Sequence, residues 1–161
     1  MDEASRHSYL IALGSNMRVS GIGNPRAVVA RALHAMSDLG LDVIASSRVV
    51  ETDPLGPSLR RYANAAAIVE ADLAPPELLR FLQAIELAFG RKRRGQPWRA
   101  RPLDLDIILW SGGIWVSPGL AVPHPRFRER AFVLDPAKEV AAGWRDPASG
   151  FTLRQLAARA A

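Results

Sequence analysis

Two carboxylates separated by one residue, Asp104 and Asp106, stand in a segment (LDLDIILW, residues 103 to 110) otherwise apolar enough to be a central strand. The two-residue period of a strand projects both to one face, with Cα atoms roughly 6 to 7 Å apart. Left bare, such a pair repels and is costly to bury. A divalent cation beside them removes that cost, and Mg²⁺ readily takes a few carboxylates together with phosphate oxygens. The other reading of the pair is ion pairing with neighbouring arginines on an exposed strand face. Arg91, Arg93, Arg99 and Arg101 lie just upstream, and the guanidinium fork matches phosphate oxygens while staying charged. Carboxylates with metal on one side and guanidinium on the other describe the surroundings of a transferring phosphoryl group. The chain has no GxxxxGK[ST], so a P-loop is excluded, and Gly14-Ser15-Asn16 is not a Rossmann fingerprint.

Charge points the same way. Residues 91 to 101 (RKRRGQPWRAR) and 126 to 130 (RFRER) together carry +8, while the whole 161-residue chain carries only +5, leaving −3 to the rest. A charge so concentrated marks one anionic partner at one place, against the plainer reading of a solvated basic loop. His124, just before RFRER, is a candidate to bond a phosphate or a base edge, although a lone histidine is more often structural. Tyr62 with Asn64, and Phe132 after Arg130, have the makings of an aromatic slot with an amide for a flat heterocycle, although isolated aromatics more often belong to a core.

The elements that must position these residues follow from period and punctuation. Residues 9 to 13 (YLIAL) form a continuous apolar run stopped by Gly14-Ser15-Asn16, the pattern of a buried strand. Pro25 opens a helix in which Val28, Val29, Ala32, Leu33, Met36 and Leu39 recur until Gly40. Residues 41 to 50 are rich in β-branched side chains and predict a second strand ending before the turn-forming DPLGP at 53 to 57. Residues 62 to 70 predict a third, antiparallel to it. A helix from Ala74-Pro75-Pro76-Glu77 presents Leu78, Leu79, Leu82, Ile85, Leu87 and Phe89 and stops at Gly90. The basic loop and the aspartate strand complete strand, helix, strand, strand, helix, strand: an α+β, ferredoxin-like βαββαβ core. Beyond it, Gly112-Gly113 flanked by apolar residues predicts a hairpin, and Thr152-x-x-Gln155 predicts a capping box opening a terminal helix.

A chain of this length supports one core, so a single domain over 1–161 is expected. The polar N-terminal stretch and the lack of roughly 20 unbroken apolar residues argue for a soluble protein. No cysteine is present, which excludes a disulfide framework and fits a cytoplasmic chain.

Taken together the motifs resemble a known family, 6-hydroxymethyl-7,8-dihydropterin pyrophosphokinase. The resemblance runs from Tyr9 to about Pro136. It is carried by LGSN at 13 to 16, T-x-P-L-G-P at 52 to 57, Y-x-N-A-A at 62 to 66 and E-L-x-x-G-R at 86 to 91, then by W-x-x-R-x-L-D-L-D at 98 to 106, V-P-H-P at 122 to 125 and R-x-F-V-L at 130 to 134. It implies a monomeric enzyme that moves diphosphate from ATP to the pterin hydroxymethyl group and releases AMP. Asp104 and Asp106 then match the pair that holds two Mg²⁺ ions. Tyr62 and Phe132 match the aromatics that sandwich the pterin, and Asn64, with the backbone around Thr52 and Leu55, matches the groups that read its edge. Gln83, Glu86, Arg93, Trp98, Arg101, His124 and Arg130 match positions around ATP, and Arg91 with Arg101 belongs to the catalytic set.

The chain departs from the family pattern at Arg99-Ala100, where many members have Gly-Pro, and at Pro97, where the residue is often basic. Gly119 and Ala121 replace side chains that some members place near the nucleotide, and the loop after Asn16 is longer and carries Arg18. A ferredoxin-like RNA-binding module without turnover is the alternative reading; the aromatic RNP pattern such modules carry is absent from the chain. A catalytically dead scaffold on the same fold is a third.

Overall fold

The computed structural model describes residues 6–52, 61–90 and 102–161. The chain runs β1 (His7–Ser15), α1 (Pro25–Asp38), β2 (Asp42–Ser46), β3 (Val50–Thr52), β4 (Tyr62–Ala71), α2 (Pro75–Ala88), β5 (Asp104–Trp110), β6 (Trp115–Ser117), β7 (Leu120–Val122), α3 (Ala131–Ala141) and α4 (Leu153–Ala160). The main sheet is ordered β2-β4-β1-β5, with β3 continuing the β2 edge along β4, and every pairing is antiparallel. This is the ferredoxin-like order: β4 is inserted between β1 and the strand reached through α1.

Both faces of the sheet are covered. Tyr9, Ile11 and Leu13 of β1 pack with Val29, Met36, Leu78 and Leu82 of α1 and α2. Leu10 and Ala12 turn the other way, into a second cluster with Leu134, Ala137, Leu153 and Leu156 from α3 and α4. Burial on both sides is why the first strand reads as an unbroken apolar run and why residues 62 to 70 lack alternation. Asn24 caps α1 through Oδ1, which accepts from Ala27 N at 2.9 Å. Thr152 caps α4, with Thr152 and Gln155 satisfying one another's backbone N–H as the capping box requires.

Four expectations change. The single second strand is two, because Ser47 interrupts it: Ser47 N donates to Ala66 O at 2.8 Å, and Ser47 Oγ takes the Ala66 N–H at 2.8 Å. The hairpin turns at Pro118-Gly119, where Gly119 has φ +79°, and not at Gly112-Gly113, which makes a tight turn closed by a bridge from Trp110 to Gly113. Leu39 and Leu87, counted in the apolar helical series, are exposed because each falls at the end of its helix, off the buried face. Helix α3 has no counterpart in the sequence reading; Pro136 in its middle suppressed the helical pattern there. The turn at 53 to 57 and the basic loop at 91 to 101 lie outside the described residues.

Candidate active site

The face that packs on α3 and α4 changes character toward one end. Across the strands, Ile68 and Leu10 give way to Ala66, Ala12 and Asp106, and then to Asn64, Gly14 and Asp104. Bulk is lost at the centre and polar groups appear at the edges, so the sheet floor opens into a cleft of about 360 Å³. Gly14 leaves room for the Asn64 amide: a Cβ there would stand 3.1 Å from Asn64 Oδ1, which would have to shift by a few tenths of an ångström. Asp104 and Asp106 are both half-buried on this face with Leu105 and Ile107 buried behind them, as the two-residue period predicts.

Helix α3 supplies the opposite wall. Phe132 and Arg130 line the same cleft as Tyr62, Asn64 and the two aspartates. Phe132 and Tyr62 are 47% and 37% exposed, so these rings serve the cleft and not the core. The Arg130 guanidinium carbon lies 5.6 Å from the centre of the Phe132 ring, a cation–π arrangement that aims positive charge toward the cleft. Thr52 joins Asn64 and Phe132 around an adjoining, mostly apolar recess of about 370 Å³.

On the other side of Asp106 lies a second cleft, of about 470 Å³, bounded by His124, Leu79, Ser117, Gly119 and Ala121. His124 is fixed by its N–H, which donates to Ile108 O at 3.0 Å, and by Nδ1, which accepts the Arg126 N–H at 3.1 Å. The neutral ring therefore carries its proton on Nε2. Burial lowers the His124 pKa from its ordinary value; nearby Asp106 opposes that, and Arg130 and Arg126 lower it further. At neutral pH the ring is a hydrogen-bond donor and not a cation.

Asp104, Asp106, His124, Arg130, Tyr62, Asn64, Phe132 and Thr52 are thus gathered at one end of the sheet. Gln83 and Glu86, on α2, are not among the residues lining these clefts. Glu86 is buried, and its Oε2 accepts the Leu105 N–H at 2.9 Å, holding β5 between the two aspartates. Arg91, Arg93, Trp98, Arg101 and Leu55 lie outside the described residues. Of the RFRER arginines, Arg128 turns inward to Asp146 and adds no charge to the clefts. Ala12, Gly14, Ser15 and Asn16 also line the first cleft; the sequence marks LGSN only as a strand stop and a family motif, and the signal for a site role is the polar end of an otherwise apolar strand, which β1 shares with β4 and β5.

The fold and the site define a ferredoxin-like α+β protein with a carboxylate pair in an aromatic-walled cleft, one of the pair, Asp106, also bounding a second cleft beside His124. A family model described as 7,8-dihydro-6-hydroxymethylpterin-pyrophosphokinase matches residues 10–142. The chain is 37% identical over 150 residues to the 2-amino-4-hydroxy-6-hydroxymethyldihydropteridine pyrophosphokinase of Synechocystis sp., covering 93% of this chain and 74% of that one. It is 41% identical over 139 residues to the protein of that name from Pseudomonas aeruginosa, covering 85% and 82%. Among solved structures, Plasmodium falciparum HPPK-DHPS superposes with a TM-score of 0.71 at 13% identity, covering 96% of this chain and 41% of that one, a likeness of fold. The chain belongs to the 7,8-dihydro-6-hydroxymethylpterin-pyrophosphokinase family. These relatives lend the RNA-binding reading no support. No helix among the described residues is long and apolar enough to cross a membrane.

Proposed function

We propose that this chain, acting as a single cytoplasmic domain over 1–161 and as a monomer, transfers diphosphate from ATP to 6-hydroxymethyl-7,8-dihydropterin in folate biosynthesis. The observation that carries the reading is that Asp106 lines both clefts. Asp106, with Asp104 beside it in the first cleft, therefore stands where a phosphate chain entering from one side would meet a hydroxymethyl group presented from the other. The pterin belongs between Tyr62 and Phe132, with Asn64 and the backbone near Thr52 and Leu55 on its edge; stacking on two aromatic faces suits a flat ring. ATP belongs on the His124 side, with Arg130 reaching its phosphates and the family-matched Gln83, Arg93, Trp98 and Arg101 around it, while the buried Glu86 serves that side by holding β5.

The donor set fits Mg²⁺. Asp104 and Asp106 share one face of β5 and line one cleft; two carboxylates offer only oxygen and leave positions for water and phosphate oxygens, the preference of that ion. Two ions held by Asp104 and Asp106 would neutralise charge on the phosphates. The chain's own groups do the rest. The aromatic walls and Asn64 orient the hydroxymethyl oxygen, His124 Nε2–H and Arg130 fix the phosphates, and Arg91 and Arg101 neutralise developing charge from the basic loop. The hydroxyl oxygen forms a bond to the β-phosphorus, the bond from that phosphorus to the α–β bridging oxygen breaks, AMP leaves with the bridging oxygen, and the hydroxyl proton is released. No covalent enzyme intermediate is required.

The test is direct: purified protein is incubated with ATP, Mg²⁺ and 6-hydroxymethyl-7,8-dihydropterin and the nucleotide product identified. AMP equimolar with pterin diphosphate supports the reading; ADP, or no turnover, overturns it.

A further inference from the structure

The segment that brings His124, Arg130 and Phe132 to the clefts is fastened on its reverse side to a part of the chain beyond residue 142, where the family match ends. Phe127 is fully buried in the apolar cluster formed with Leu134, Leu153 and Leu156. Arg128 lies with its guanidinium carbon 4.7 Å from the centre of the Phe127 ring. It donates through Nε to Asp146 Oδ2 at 2.6 Å and through Nη2 to Oδ1 at 2.7 Å.

Asp146 is 0% exposed. Its oxygens also accept from Ser149 Oγ at 2.6 Å and Ala148 N at 3.0 Å, and its own N–H and C=O close the turn through Phe151 O and Gly150 N. A carboxylate with four donors around it and no water access has one position, and a bidentate guanidinium transmits that position rigidly. Arg130 and Phe132 stand two and four residues beyond Arg128. His124, by contrast, has its own anchor on β5 through Ile108 O.

We propose that Arg128 and Asp146 are a positioning pair for the pterin wall: without touching substrate, they fix where Arg130 and Phe132 stand over the aromatic-walled cleft, so that Asp146, beyond the last residue matched by the family model, bears on pterin affinity. The proposal rests on the pyrophosphokinase reading above. Loosening the pair acts on Phe132, at the pterin, and on Arg130, at the phosphates, while the backbone anchor of His124 on Ile108 O keeps the rest of the phosphate side in place, so the larger effect falls on pterin.

The experiment compares the wild-type chain with Asp146→Asn, Arg128→Lys and Leu156→Ala, the last removing apolar burial from α4 without touching the pair. Each is assayed below its own melting temperature, with KM measured for pterin and for ATP, and hydrogen exchange followed in peptides spanning 127 to 134. Asp146→Asn is expected to raise the pterin KM roughly tenfold through Phe132, with the ATP KM raised by a clearly smaller factor through Arg130 and exchange in 127 to 134 accelerated. Arg128→Lys, which keeps the charge and loses the fork, falls between it and wild type. Leu156→Ala loses thermal stability with both KM values unchanged. The proposal is overturned if Asp146→Asn only lowers stability, if it raises both KM values alike, or if Leu156→Ala reproduces its kinetics. Failure of the wild-type chain to form AMP would instead overturn the pyrophosphokinase reading, and this proposal with it.

Discussion

At the scale of single residues, Asp104 and Asp106 owe their arrangement to one strand's period, and their surroundings to three. Asp104 shares its row with Gly14 and Asn64, Asp106 with Ala12 and Ala66, so each carboxylate stands beside a low floor on which a substrate can rest. Asp104→Asn and Asp106→Asn are each expected to abolish turnover by loss of metal-supported phosphate binding while circular dichroism and melting remain near wild type; near-normal rates in either would remove the metal role. Gly14→Ala places a methyl 3.1 Å from Asn64 Oδ1, tighter than ordinary packing. Its expected effect is a several-fold rise in pterin KM with little change for ATP, measured in steady state. An unchanged pterin KM would show that Asn64 does not read the heterocycle from its present position.

At the scale of elements, the β2–β3 edge shows how a strand is divided at small cost. Ser47 keeps the ladder to β4 intact by using both its backbone and its hydroxyl on Ala66, while redirecting the chain so that β3 runs to Thr52 at the cleft. Ser47→Ala would leave the Ala66 N–H buried without an acceptor, at a cost of about 1–3 kcal/mol. Urea denaturation measures this as a lower midpoint with an unchanged slope. Ser47→Thr, which keeps the hydroxyl, is expected to recover much of the loss.

For the molecule as a whole, the second helical layer joins stability to the site. The Arg128 hydrogen bonds hold the Asp146 carboxyl well below the usual carboxylate range against the opposing effect of burial, with Ser149 and the Ala148 N–H adding to the hold. A carboxyl whose pKa falls on folding binds fewer protons folded than unfolded. Its contribution is therefore complete above the unfolded value of about 4 and is lost as pH falls below it. Asp146→Asn is expected to cost about 2–3 kcal/mol at pH 7, less than the roughly 3–5 kcal/mol of a fully buried pair because Arg128 retains some solvent contact. The difference from wild type should shrink as pH is lowered through 4 toward 2, followed by denaturant unfolding at each pH. A difference independent of pH would mean that the pair contributes through packing alone.

The sequence by itself determined the βαββαβ order, the shared face of Asp104 and Asp106, the α1 and α2 helices and the Thr152–Gln155 cap, because each is written in spacings of a few residues that no distant contact needs to complete. Its ordered motifs also carried the family. The break at Ser47, the turn at Gly119 and the existence of α3 were decided only by the tertiary structure. A hydroxyl facing Ala66, a glycine at positive φ and a proline-containing helix seated on a sheet face are intelligible only beside their partners. The same holds for Arg128, which in the sequence is one more member of a basic run. Its charge is turned inward by Asp146, eighteen residues away, and only folding distinguishes it from Arg130, which faces the cleft. The two aspartates were legible as a pair; that Asp106 divides two clefts follows from the sheet floor and the helix laid over it.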